Sequence, residues 1–151
     1  MSSAARSSLA NLCDRLRRDF ADHSEIAAAW LFGSVARGEA RADSDLDVAV
    51  LLASPTATAA DHSDVLLRLA LDLEADSGRR VDLVVFGTQG VIFCHRVLSE
   101  GILIFESDPV RRADFESTTV VRYIDFLPTY QIAQRAALDG FRQWFQSEDR
   151  R

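Results

Sequence analysis

The sequence predicts an α/β (α+β) fold around one small sheet, and three observations carry that reading. Apolar residues recur at intervals of three and four in some stretches and form short unbroken runs in others. The two kinds of stretch alternate along the chain, as they do where helices pack on a sheet. Glycine and proline punctuate the joins between them.

Leu9, Leu12, Leu16 and Phe20, with Cys13 beside them, mark one face of a helix over residues 8–21. Ala27 to Phe32 is short, apolar and closed by Gly33, which reads as a buried strand. Leu46 to Leu52 is a second strand, with Val48, Val50 and Leu52 on one face and Ser54-Pro55 stopping it. Leu66, Leu69, Ala70 and Leu73 predict a helix from about Ala59 to Asp76, closed near Gly78. Val81 to Phe86 is a third strand, between Arg79-Arg80 and Gly87. A short helix over Val91 to Ser99 ends before Gly101, and Ile102 to Phe105 is a fourth strand, punctuated by Asp108-Pro109. Beyond it the period is helical through Phe115, Val121, Ile124, Ile132, Ala136, Phe141 and Phe145. Pro128 is expected to kink or break that stretch.

Composition narrows the class. A chain of 151 residues suits one domain, and 48% hydrophobic with 26% charged residues is the balance of a folded globular protein. A net charge of -6 argues against bulk nucleic-acid binding, which needs a basic face to displace counterions. The longest uncharged apolar run, Ile26 to Phe32, falls far short of the roughly 20 residues that span a bilayer. No apolar stretch of secretory type precedes Arg6. Cys13 and Cys94 form no metal-ligand or CxxC spacing, so the expectation is a cytoplasmic protein with reduced thiols.

The chemistry is concentrated in residues 31–48. A strand runs into Gly33-Ser34, and ten residues later Asp45-Leu46-Asp47 opens the next strand. Residues two apart on a strand share a face, so Asp45 and Asp47 project together. Asp82 stands in the same kind of place at the start of the third strand. Three converging carboxylates repel one another unless a cation lies among them, and hard oxygen donors select Mg²⁺ or Mn²⁺. Gly33 lets the backbone approach a ligand, and Ser34 is placed to cap a short helix and turn its N–H groups toward a phosphate. Arg37 is either a phosphate contact or a structural salt-bridge partner.

This pattern resembles the signature of the DNA polymerase β-like nucleotidyltransferases. Ala36-Arg37-Gly38 and Ser44-Asp45-Leu46-Asp47 look like the minimal nucleotidyltransferases of that superfamily. Arg80-Val81-Asp82-Leu83-Val84 looks like their third-acid strand, and the run from Arg96 to Glu106 like their closing helix and strand. Arg122-Tyr123-Ile124-Asp125-Phe126-Leu127-Pro128 looks like the MntA type, the antitoxin of HEPN/MNT toxin–antitoxin pairs. The resemblance spans roughly residues 8–145 and departs at Gly87-Thr88-Gln89-Gly90, where a more polar or Pro-containing loop is expected.

The resemblance implies a polymerase β-like palm, a small mixed sheet with helices, plus a C-terminal helical segment. It implies a nucleotidyltransferase domain over 1–107 and a helical extension over 108–151 packed on it as a single unit. It implies that Asp45 and Asp47 hold the Mg²⁺ of the nucleotide and that Asp82 joins them around a second ion, with Mn²⁺ an alternative. ATP is the implied substrate, with Gly33, Ser34 and Arg37 binding it. The implied partner is a cognate HEPN-type RNase toxin, a tyrosine of which receives AMP, so the chain is a hetero-oligomeric antitoxin. A toxin-binding antitoxin without catalysis, and transfer to a small-molecule acceptor, are the competing functions.

The remaining polar residues read more plainly. His23 and His62 belong on the surface, and His95 is structural rather than catalytic. Asp43 is a solvent-exposed loop acid, Cys13 belongs to the core, and Arg79-Arg80 is a solvated turn. Tyr130, Phe141, Trp144 and Phe145 lie at roughly helical spacing, as core packing or as a face offered to another chain.

Overall fold

Alternation along four short strands sorts one sheet into two apolar faces, each covered by helices. A computed structural model describes residues 3–41, 43–87 and 89–148, with side chains described between 6 and 138. The order is α1 (Ser3–Asp19), β1 (Ile26–Phe32), α2 (Gly33–Arg37), β2 (Leu46–Leu52), α3 (Ser63–Ser77), β3 (Val81–Val85), α4 (Val91–Glu100), β4 (Ile102–Glu106) and α5 (Pro109–Glu148). The strands lie in the order β3-β2-β1-β4. β1 is antiparallel to β2 and β4, whereas β2 and β3 are parallel. The sheet is therefore mixed.

On one face Ala29, Leu31, Val48, Val50 and Leu52 pack against Leu16 and Phe20 of α1 and against Leu66, Leu69 and Leu73 of α3. The opposite face carries Ala28, Trp30, Ala49 and Leu51, covered by Cys94 and Val97 of α4 together with Phe86. Aromatic rings join that second face to α5. Trp30 meets Phe86 edge-on at 5.4 Å, and Phe86 meets Phe115 at 4.8 Å. Arg112 on α5 bonds to Glu106 at the end of β4 and to Glu116 at 2.7 Å. Arg17 ties α1 to the edge strand by donating to the Ile104 carbonyl at 3.0 Å.

Three helices differ from their sequence reading: α1 begins at Ser3 and ends at Asp19 rather than spanning 8–21. α3 begins at Ser63 rather than near Ala59. The preceding residues form a turn in which Asp61 accepts hydrogen bonds from the Thr58 amide and hydroxyl, both at 2.7 Å, which competes locally with helix. α5 runs through Pro128 without a break. Proline removes the partner of the Ile124 carbonyl, but this stretch is exposed and water can replace that bond. The first turns of α5 are seated, with Thr119 buried and Phe115 packed against the second face. Further along, Val121, Ile124 and Ile132 are 58%, 61% and 68% exposed, so the core leaves this part of the helix uncovered. Tyr130 is half-buried and tilts against Phe126 of the same helix. The side chains of Phe141, Trp144 and Phe145 lie outside the described residues. Among the described residues no helix is long and apolar enough to cross a membrane.

Candidate active site

The site begins where β1 stops. Phe32 is extended, Gly33 turns at φ 73°, and α2 starts at once. Gly38 ends α2 in the left-handed region, its N–H bonding to the carbonyls of Ser34 and Val35. Ser34 is not the cap of this helix: the capping position is Phe32, and no side chain bonds to the first amides. The strand passes into the helix without a spacer, so Ser34 is already inside it. Glycine at 33 has a second reason besides its φ. A Cβ there would collide with the Asp47 carboxylate, which occupies that volume.

Three residues lie level across the sheet. Phe32 of β1 pairs with Asp47 of β2, and Asp47 pairs with Asp82 of β3. Neighbours at one level of a sheet point to the same side, here the side covered by α4. Asp47 is half-buried and Asp82 is exposed. Asp45 lies one residue ahead of β2 and is exposed, as is Asp43. The loop leading to it is held from a distance. Arg79 donates to the carbonyls of Arg41 at 3.1 Å and Ser44 at 2.8 Å. The Ser44 hydroxyl accepts from the Arg41 amide at 2.9 Å, and the Leu46 amide donates to the Arg80 carbonyl at 2.8 Å. Arg79 is thus an anchor of the acidic loop rather than part of a solvated turn.

Asp47 opens onto a cleft of about 380 Å³. One wall is Phe32, Gly33, Ser34 and Arg37; the other is Phe93, Arg96, Val97 and Glu100 of α4. Those four positions of α4 fall at intervals of three, one and three, one stripe of a helix. Phe32 and Phe93 meet edge to face at 5.6 Å and close the apolar end. Arg37 donates to Glu39 at 2.9 Å, and Arg96 to Glu100 at 3.5 Å. His95 does not line the cleft; it stacks flat on Tyr123 of α5 at 3.7 Å.

Burial raises the Asp47 carboxyl above the ordinary carboxylate range, Asp82 and Asp45 add to this, and Arg37 partly opposes it. A carboxylate pressed upward by two other acids is electrostatically short of a cation. All-oxygen donors are the ligand set of hard divalent ions, so the residues fit Mg²⁺ or Mn²⁺ in charge and chemistry. Among the described residues, no three His, Cys, Asp or Glu side chains already stand close enough to enclose an ion. Asp47 and Asp82 are brought level by the strands, while Asp45 sits outside the regular strand.

The α4 wall and Arg79 are the parts that motif reading missed. The stripe Phe93, Arg96, Val97, Glu100 was visible as a helical spacing, but only packing reveals which way it faces. Arg79 had no signal, because its partners are backbone carbonyls more than thirty residues away.

These features carry an assignment. The chain matches the polymerase β nucleotidyltransferase family over residues 15–110, a stretch that holds the whole sheet and both walls of the cleft. It belongs to that family. Among solved structures, a chain of a toxin–antitoxin crystal structure with AMP-PNP is 23% identical, with a TM-score of 0.63 over 85% of this chain and 97% of that one. A chain of the complex between a tri-AMPylated Shewanella oneidensis HEPN toxin and its MNT antitoxin is 21% identical, with a TM-score of 0.55 over 91% and 99% of the two chains. These likenesses speak for the fold. No curated protein matches the chain.

Proposed function

We propose that this chain transfers AMP from ATP to a hydroxyl of a partner protein, a tyrosine of a HEPN-type RNase toxin, and so acts as its antitoxin. The observation that carries the transferase chemistry is the level pair Asp47 and Asp82, set against Gly33 at the mouth of a cleft that also presents Arg37. The partner reading is supported by similarity of fold to chains from toxin–antitoxin structures, one with AMP-PNP and one with an AMPylated toxin.

Asp47 and Asp45 would hold the nucleotide's Mg²⁺, and Asp82 would share a second ion with them. Bound there, the ions supply charge neutralisation and activation of the entering and leaving oxygens of an in-line displacement. The chain's own part is position. Gly33 leaves room for the Asp47 carboxylate, so a phosphate and an acid can approach one another closely. Ser34 offers a hydroxyl and Arg37 a guanidinium to the phosphates. Asp82, exposed beside the half-buried Asp47, would be the acid within reach of a protein acceptor. Residues 1–107 would hold the site, and α5 of the 108–151 extension, with its uncovered apolar residues, would help to dock the toxin.

The test is the mass of the toxin after co-expression. Wild-type chain should add one or more AMP groups, located on tyrosine by fragmentation. Asp82→Asn should leave the complex intact and the toxin unmodified. A toxin that is fully inhibited by wild-type chain yet gains no mass would overturn the catalytic reading.

A further inference from the structure

We propose that Arg96 is a second phosphate-binding residue of the cleft and that Glu100 occupies its guanidinium until a nucleotide arrives; this rests on the nucleotidyltransferase reading above. Arg37, beside β1, and Arg96, on α4, line one cleft together with Asp47. Glu100 lines the same cleft and bonds to Arg96 at 3.5 Å. Arg37 is held by Glu39 at 2.9 Å, outside the cleft lining, and Glu100 adds only a weaker charge. Glu100 is thus a carboxylate of the cleft lining that already holds one of the two cations, as a bound anion would. Such a carboxylate is the internal stand-in for an anion.

The exchange is easy in the direction proposed. The Arg96 and Glu100 side chains are 66% and 48% exposed, and a long, exposed ion pair holds little free energy. A phosphate offers a guanidinium more charge and a better fork geometry than this carboxylate does. Once the α-phosphate lies near Asp47, a triphosphate has two further phosphates to place, and an AMP has none. Arg96 would therefore read the β- and γ-phosphates, which leave as pyrophosphate. Glu100, expelled by their charge, would swing to solvent.

Calorimetric titration of the full chain with Mg-ATP and with AMP decides this. Arg96→Ala should weaken Mg-ATP by about tenfold or more and leave AMP within about twofold. Arg96→Lys, which keeps the charge but loses the fork, should fall between wild type and Arg96→Ala. Glu100→Gln should tighten Mg-ATP severalfold, because it removes the competitor. Unchanged ATP affinity in Arg96→Ala, or equal losses for ATP and AMP, would overturn the proposal while leaving the function standing. A wild-type chain that binds no Mg-ATP would instead remove the nucleotidyltransferase reading, and this inference with it.

Discussion

The Asp47 carboxylate fills the space that a side chain on residue 33 would need. The glycine of the Gly-Ser turn and the second acid of the Asp-x-Asp pair thus constrain each other across the β1–β2 pair. Gly33→Ala should therefore harm the protein twice. The left-handed backbone costs about 1–2 kcal/mol for a residue with a Cβ, and the added methyl displaces Asp47. The expected outcome is a lower denaturation midpoint together with loss of AMP transfer. A variant with normal stability and normal transfer would contradict the packing described.

Asp47→Asn should stabilise the apoprotein in a pH-dependent way. Burial, then Asp82 and Asp45, raise the folded-state pKa of Asp47 above its unfolded value. Such a group contributes its full stability below the unfolded pKa and loses that contribution as pH rises through the folded one. With EDTA present, the variant should melt higher than wild type near neutral pH and no higher in acid, below the carboxylate range. Transfer should meanwhile drop by about a thousandfold or more. Melting curves at two pH values check the first part and labelled AMP incorporation the second.

Divalent metal should stabilise the fold through the same acids. Mg²⁺ with ATP should raise the melting temperature of the wild type, as a ligand that binds only the folded state does, and EDTA should reverse it. In Asp47→Asn, Asp82→Asn the shift should vanish. A metal-dependent shift of wild-type size in that double variant would place the ion elsewhere.

Arg79→Ala should loosen the loop that carries Asp45. Two charge-assisted bonds to the Arg41 and Ser44 carbonyls are lost, with a cost of about 1–3 kcal/mol. Mg-ATP affinity should fall although Arg79 lines no part of the cleft. Hydrogen exchange should quicken over residues 41–46 and remain unchanged in α1. Unchanged exchange in that loop would show that it does not depend on Arg79.

Ile124→Asp should separate docking from chemistry. Ile124 is 61% exposed on the uncovered part of α5, so its replacement should not disturb the core. The circular dichroism spectrum and Mg-ATP affinity should stay as in wild type. Co-purification with the HEPN toxin should be lost or strongly reduced, and undiminished co-purification would move the docking surface off this face of α5.

Much of the architecture could be read locally, because strand and helix periods are written in neighbouring residues. The second strand was expected at Leu46 to Leu52 and stands there. The α/β (α+β) class and the helical period of the C-terminal stretch followed from alternation and period alone, whereas the mixed sheet was what the family resemblance implied. Where two local tendencies compete, the structure departs from the local pattern. Pro128 reads as a kink or a break, and of the two the break does not occur, because an exposed helix tolerates one missing bond. Ala59 to His62 looked helical, but the Thr58–Asp61 turn claims that stretch.

By itself the sequence offered the candidate acids and the turn: Gly33-Ser34 with Asp45 and Asp47 by their spacing, and Asp82 by its place near the start of a strand. Tertiary structure alone decided what faces them. Parallel pairing set Asp82 level with Asp47, antiparallel pairing pressed Asp47 against Gly33, and packing of α4 on the second sheet face turned Arg96 and Glu100 into the cleft. Periodicity says that a helix has a stripe. Which partner the stripe meets depends on contacts between residues far apart in the chain, and those form only when the two faces of the sheet are buried together.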